Sequence, residues 1–311
     1  MSRRVVIAIS SLLRPGSEIA LRSLAEGLPA DIRENVEVIG HSPPQNENAK
    51  DVLRDYFPRV DWTFEADPAL SGEMLSMCFR LEPVKNNIRN NLLQWYGQLK
   101  LAELCAARVA DCSLYDCIIW TRPDLLFLLP IRISAFYNST WIELSPHDHW
   151  CGVNDRFMIG HPIVMIRRLR ILDYFVNVWY EAMIRNPDEV IGGRFWNPEI
   201  VLAHYLRDEL QISVRPCYTL FCRLRRINGS FYCILPRLNK YALMASINVA
   251  DVVGLETERA SFENRLRNCA DIQKHYGEIA DPRRTRILGA RAPKDLVPLE
   301  IIIEKLYSQR F

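Results

Sequence analysis

Hydrophobic and polar positions along this chain fall into blocks whose period switches repeatedly between that of a strand and that of a helix. Residues 4 to 10, Arg-Val-Val-Ile-Ala-Ile-Ser, are an unbroken apolar run of the kind that forms a strand buried on both faces. Arg14-Pro15-Gly16 follows as a turn, and Ser17 to Leu28 repeats its apolar residues at helical spacing. Val36 to Ile39 reads as a second strand, Asn46 to Tyr56 as a helix closed by Pro58, and Val60 to Phe64 as a third strand. Ile88, Leu92, Trp95, Leu99, Ala102, Ala106 and Val109 recur at three- and four-residue steps, which predicts a long helix over residues 86 to 110. That helix delivers the chain into a strand at Cys117 to Trp120.

Alternating strands and helices predict an α/β fold, with a mainly parallel central sheet flanked by helices. Further strands are expected at Thr140 to Leu144, Arg156 to Ile159 and Gln211 to Leu220, and helices at Pro162 to Ile184 and Pro198 to Leu210, the two helices separated by a loop containing Gly192-Gly193. Beyond about residue 236 the pattern turns charged and helical, at Glu256 to Tyr276 and Leu296 to Tyr307. The expected division is therefore a core domain over residues 1–235 and a helical C-terminal extension over 236–311, packed on the core.

Composition narrows the function classes. The 311 residues are 49% hydrophobic, enough for a large core, and 39 basic against 37 acidic residues give a net charge of +2. No global field marks nucleic acid as a partner, so any anion site must be local. The short arginine groups Arg223, Arg225 and Arg226, and Arg283, Arg284 and Arg286, lie beside apolar residues, and nucleic acid is not expected to bind them. No window reaches the roughly 18 to 20 apolar residues of a membrane helix. The charged start Met1-Ser-Arg-Arg lacks a following cleavage pattern. Nine cysteines without CxxC spacing argue for small buried thiols rather than a disulfide framework or structural zinc. The expected compartment is the cytoplasm, where the sequons Asn138-Ser-Thr140 and Asn228-Gly-Ser230 carry no meaning. Dinucleotide, Walker, serine-hydrolase and zinc-protease motifs are all missing.

The chemistry concentrates in Tyr115-Asp-Cys-Ile-Ile-Trp-Thr-Arg-Pro-Asp124, an apolar strand that ends in an arginine and an acid. Open α/β sheets bind ligands at that edge. Ser10 and Arg14, at the end of the first strand, reach the same edge, so Ser10, Arg14, Arg122 and Asp124 are candidates for holding a diphosphate. The structural alternatives are a turn cap for Asp124, an ion pair between it and Arg122, and an exposed turn residue for Arg14. His147 and His149 share a side of an extended segment, which Asp148 would not, and could add a metal ligand, but a solvated loop is the expected reading. Tyr96, Trp150 and Trp196 are candidates for stacking on sugars or for simple burial.

These residues resemble glycosyltransferases of the nucleotide-diphospho-sugar (GT-A) type, in particular a branch found in bacterial surface-polysaccharide synthesis and in large DNA viruses. The resemblance is carried by the first strand with its Leu-Arg turn, by Gln94-Trp-Tyr-Gly-Gln-Leu-Lys100, by Tyr-Asp-x-Ile-Ile-x-x-Arg-x-Asp-Leu-x-Phe at Tyr115 to Phe127, and by Asn-Asp-x-Phe-x-x-Gly at Asn154 to Gly160. It covers roughly residues 4 to 220. It implies a GT-A-like fold and transfer of a sugar, of the hexosyl or deoxyhexosyl class, from a nucleotide-diphosphate donor to a hydroxyl of a glycan acceptor, with inversion. In such folds an Asp-x-Asp element holds a divalent metal against the diphosphate. Here the place reads Arg122-Pro-Asp124, so Mn2+ or Mg2+ would rest on Asp124 alone plus phosphate oxygens and waters, and a metal-independent route through Arg14 and Arg122 stands beside it. The resemblance points to Glu199, after Gly193-Arg-Phe-Trp-Asn-Pro198, as the base, and Asp155 is the second candidate, for base or for acceptor binding. Glu199 can equally serve a helix dipole, and Asp155 can pair with Arg156. A catalytically silent relative that binds sugar nucleotides or glycans is the alternative function.

Overall fold

The computed structural model of the protein describes residues 4–68, 72, 85–134, 137–147, 149, 152–185, 198–227, 229–236, 255–279 and 296–302. Strand β1 (Val5–Ser10) is buried along its whole length, and its alternation feeds two cores. Val5, Ile7 and Ile9 pack with Leu21 and Leu24 of α1 (Ser17–Gly27), while Val6 and Ala8 pack with Leu92 and Trp95 of a long helix, α3 (Lys85–Arg108). Side chains of a strand alternate between faces, so an uninterrupted apolar run requires a helix on each side. Each fully buried aliphatic side chain contributes about 1.5–3 kcal/mol.

Around β1 the chain builds a seven-stranded sheet in the order β3-β2-β1-β4-β7-β6-β8. Its strands are β2 (Val36–Ser42), β3 (Arg59–Phe64), β4 (Cys117–Thr121), β6 (Trp141–Leu144), β7 (Met158–Gly160) and β8 (Ser213–Pro216). The sheet is mostly parallel, as the alternation of elements predicts, and β7 alone runs antiparallel to its neighbours β4 and β6.

Several predicted elements come out differently. The segment after β2 is a 3₁₀ helix, Glu47–Asp55, and a short α2 (Ala30–Arg33) precedes β2. In α3, Gln98, Leu101 and Cys105 are buried where Ala106 is exposed, so the inward stripe carries a polar residue. The helix predicted over 162 to 184 is divided into α4 (Pro162–Leu169), α5 (Ile171–Tyr174), a π-helical turn at Phe175–Trp179 and α6 (Tyr180–Arg185). Helix α7 (Pro198–His204) passes into a second π-helical turn at Tyr205–Glu209.

The largest departure is a second sheet of four strands in the order β11-β10-β9-β5, formed by β5 (Leu125–Phe127), β9 (Phe221–Ile227), β10 (Ser230–Ile234) and β11 (Leu296–Pro298). Residues 211 to 220 were expected to hold the last strand of the core, but β8 ends at Pro216 and the basic run that follows is β9. Leu296 to Pro298 is a strand rather than the start of a helix, and α9 (Leu299–Ile302) begins only after Pro298, which cannot donate in a helix interior. Helix α8 (Leu255–Ile279) buries Phe262, Leu266 and Cys269 with Cys222, Leu224 and Cys233 of this sheet. The ladder between β10 and β11 thus joins residues on both sides of position 235. Among the described residues no helix is long and apolar enough to cross a membrane, and none of the seven described cysteines forms a disulfide.

Candidate functional site

Strand β4 ends at Thr121, Pro123 turns the chain, and Asp124 stands immediately before β5 at the junction of the two sheets. Asp124 is 5% exposed. Arg122 grips it with two parallel hydrogen bonds, Nε to Oδ1 and Nη2 to Oδ2, both 3.0 Å. A third donor arrives from β9, where Arg225 Nη1 donates to Asp124 Oδ2 at 2.5 Å. Burial by itself would raise the Asp124 pKa, but the Arg122 and Arg225 guanidiniums override it and hold the carboxyl well below the usual carboxylate range. Burial likewise acts to lower the Arg122 pKa, yet Asp124 and Asp155 carry it upward on balance.

Register explains how Arg225 gets there. Leu125 of β5 pairs with Arg223 of β9, and the Leu224 N–H donates to the Asp124 carbonyl at 2.8 Å, which sets Arg225 beside the acid. Along β9, Cys222 and Leu224 enter the core under α8, so the alternate positions Arg223 and Arg225 face the other way. Sequence reasoning missed this role for Arg225, although two signals were present. The run Phe-Cys-Arg-Leu-Arg alternates with period two, and Asn228-Gly229 is a strong hairpin signal. Ile227 pairs with Ser230 across that two-residue loop, and Gly229 takes φ +87°, a conformation natural to glycine.

Arg122 also links Asp124 to a second group of acids. Its Nη1 donates to Gln94 Oε1 at 3.3 Å, and Gln94 Nε2 donates to Asp155 Oδ2 at 3.1 Å. Gln94 comes from α3, and Asp155 from the loop entering β7. Glu199, in the first turn of α7, is the next carboxyl; it accepts from Arg156 Nη2 at 3.5 Å. Arg156, the structural alternative considered as a partner for Asp155, pairs with Glu199. Burial, then the negative charge of Asp155, push the Glu199 pKa up to about 8, and Arg156 only partly opposes them. The position of Glu199 is tight, because its carbonyl accepts from Val153 N at 2.9 Å and the backbone of Gly152 passes so close that a Cβ there would lie 2.1 Å from Glu199 C and O.

Arg225, which bonds Asp124, also lines a cavity of ≈ 410 Å³ together with Arg14, Arg226, Leu12 and Gly229. The turn carrying Arg14 is fixed by Ser17, whose Oγ accepts from Arg14 N at 2.9 Å, and by Gly16 at φ +95°. A Cβ on Gly16 would sit 2.5 Å from the Phe231 ring, so only glycine lets the turn press against β10. Partial burial and the neighbouring Arg225 lower the Arg14 pKa. The cavity arginines can bind a multiply charged anion, and Arg122 and Gln94 connect their partner Asp124 to the Asp155 side of the site.

The remaining candidates are less closely tied to this network. Ser10 is buried at the end of β1 near Gly97 and His41, its Oγ without a hydrogen bond among the described residues. His147 and His149 do not form a solvated loop; both are buried, with Asn154 N donating to His149 Nδ1 at 3.1 Å and Asn154 Nδ2 to the His147 carbonyl at 2.7 Å. Tyr96 donates to Glu65 at 3.0 Å. Asp148, Trp150, Trp196, Gly192-Gly193 and the arginines at 283, 284 and 286 lie outside the described residues. Arg168, which no sequence signal singled out, is fully buried, stacks 4.3 Å over the Trp120 ring and donates to Gln98; burial lowers its pKa to about 10 despite the charge of Asp155.

A divalent cation fits this donor set poorly. Both oxygens of Asp124 already accept from guanidiniums. Among the described residues no three His, Cys, Asp or Glu side chains come together as ligands.

No protein-family profile matches the sequence, and no curated protein does. Solved structures with a similar chain path include glycosyltransferases. Mouse xyloside xylosyltransferase 1 shares 11% identity at a TM-score of 0.39, over 69% of this chain and 85% of that one. Core-mannan synthase A of Aspergillus fumigatus, in a Mn/GDP form, shares 11% at 0.39, over 71% and 74%. The glycosyltransferase GlyE of Streptococcus pneumoniae shares 9% at 0.34, and this chain spans 45% of it. At such TM-scores the likeness carries no argument about chemistry, which rests on the chain's own residues.

Proposed function

We propose that this chain transfers a sugar from a nucleotide-diphosphate donor to a hydroxyl of a glycan acceptor. The observation that supports this reading is the position of Arg122, which bonds the acid at the arginine-lined cavity and, through Gln94, an acid of the Asp155–Glu199 group. An anion cradle and a carboxyl raised to about 8 are the two halves of a displacement at an anomeric carbon.

In the proposed reaction the diphosphate lies against Arg14, Arg225 and Arg226, whose guanidiniums meet the charge that develops on the leaving oxygen. The acceptor oxygen forms a bond to the anomeric carbon as the bond from that carbon to the diphosphate oxygen breaks. The electron pair leaves with the nucleoside diphosphate, and the acceptor proton passes to Glu199. Displacement from the face opposite the diphosphate inverts the anomeric centre. Asp155 acts through its charge, which keeps the affinity of Glu199 for a proton high. A base with a pKa near 8 combines a usable ionised fraction at neutral pH with strong proton affinity.

The test is release of nucleoside diphosphate from a panel of sugar nucleotides as a function of pH. Release is expected to rise about tenfold per pH unit up to about pH 8 and then level off. Glu199→Gln is expected to abolish release, and Asp155→Asn to move the profile to lower pH. Binding of the donors without turnover at any pH would favour a silent sugar-nucleotide-binding relative, and no binding at all would end both readings.

A further inference from the structure

We infer that the cavity beside Asp124 takes a diphosphate without a divalent cation, the guanidiniums of Arg14 and Arg225 standing where a metal would otherwise bring its charge. The inference rests on the proposed function for the identity of the full ligand, but on its own geometry for the anion.

The charges can be counted directly. Arg14, Arg122 and Arg225 gather around the single carboxylate of Asp124 and Arg226 lines the same cavity, leaving three positive charges, no fewer than a divalent ion would supply. A cation placed there would have to displace Arg225 or Arg122 from the acid and would then sit among like charges. Asp155 and Glu199 do not offer a second carboxylate at Asp124, because Gln94 and Arg122 lie between.

The donors are also free to be used. Among the described residues the Arg14 guanidinium makes no hydrogen bond, only its backbone being engaged, the N–H by Ser17 Oγ and the carbonyl by Ser17 N and Asn46 Nδ2. Arg225 commits Nη1 to Asp124 and to the Leu224 carbonyl, which leaves Nε and Nη2 for a ligand. Arg226 bonds the Gly229 carbonyl through Nε at 3.4 Å and keeps its two terminal nitrogens. All three line the same cavity, and none of the residues lining it is acidic. Planar guanidiniums bind phosphate oxygens in pairs, so three of them can cover a diphosphate with directional bonds. Asp124 is then a positioning residue, fixing Arg225 and Arg122 rather than touching the ligand.

The experiment is calorimetric titration of the full chain with inorganic pyrophosphate and with a panel of nucleoside diphosphates, each in EDTA and in manganese. Pyrophosphate is expected to bind in EDTA with an affinity within about threefold of that in manganese. Arg225→Ala is expected to weaken it about ten- to a hundredfold, as is Arg14→Ala, whose exposed side chain has no described partner to lose, with melting curves checking that each variant folds. Pyrophosphate binding that needs manganese, or that neither variant weakens, would overturn the inference. Sugar-nucleotide turnover that requires manganese would sink it while leaving the proposed function standing. Pyrophosphate bound in EDTA with no nucleoside diphosphate bound at all would do the reverse.

Discussion

Arg225 reaches Asp124 across 101 residues of sequence, and the 2.5 Å contact between them joins the strand pairing of the second sheet to the end of the first. Asp124 is buried and carries three guanidinium bonds, two from Arg122 and one from Arg225. Removing one partner of a buried ion pair leaves the other uncompensated. Asp124→Ala is therefore expected to lower stability by about 3–5 kcal/mol, measured by urea denaturation. An unchanged midpoint would mean that Asp124 does not organise the arginines.

Glu199 gives stability a particular pH dependence. Its carboxyl rises from an ordinary value of 4.5 to about 8 in the folded chain, so the folded state binds the extra proton between those limits. Stability from this group is fully present below about pH 4.5 and falls as pH rises towards about 8, by an amount on the order of a few kcal/mol. Asp124, with its depressed pKa, works in the opposite sense, contributing stability above about pH 4 that is lost on further acidification. Glu199→Gln is expected to flatten the slope between pH 5 and about 8, read from melting temperatures across that range. A slope identical to that of the unmodified chain would show that Glu199 titrates normally.

Gly152 sets the position of Glu199 through backbone contact. A Cβ at 2.1 Å from the Glu199 carbonyl carbon and oxygen cannot be accommodated without shifting one segment. Displacements of about 1 Å can lower turnover about a hundredfold. Gly152→Ala is expected to reduce nucleoside diphosphate release by about that factor while pyrophosphate affinity stays unchanged, since the cavity arginines lie on other elements.

Arg168 separates stability from activity. It is a fully buried cation packed on Trp120, and among the described residues neither its Nη2 nor the Trp120 Nε1 has a hydrogen-bond partner. A buried charge of this kind is often replaced by an apolar residue of similar length without loss. Arg168→Met is expected to unfold within about 1 kcal/mol of the unmodified chain, or later, and yet to transfer sugar more slowly because Asp155 loses a neighbouring cation. A large destabilisation would instead mark Arg168 as structural.

What the sequence determined by itself was the layered core. The runs at 4 to 10 and 115 to 121 and the helical stripe at 86 to 110 are local patterns, and burial of apolar surface turns them into β1, β4 and α3 whatever else the chain does. The strand-end acid at Asp124 and its partner Arg122 were legible for the same reason, being two residues apart. Only the tertiary structure decided that Arg225 joins them, that Gln94 connects Arg122 to Asp155, and that Arg156 pairs with Glu199. These contacts depend on strand register and on helix rotation against the sheet, which long-range packing fixes. The charge of the site follows the same division: one carboxylate could be read from the chain, but the surplus of guanidiniums around it arises because β9 folds back onto β5.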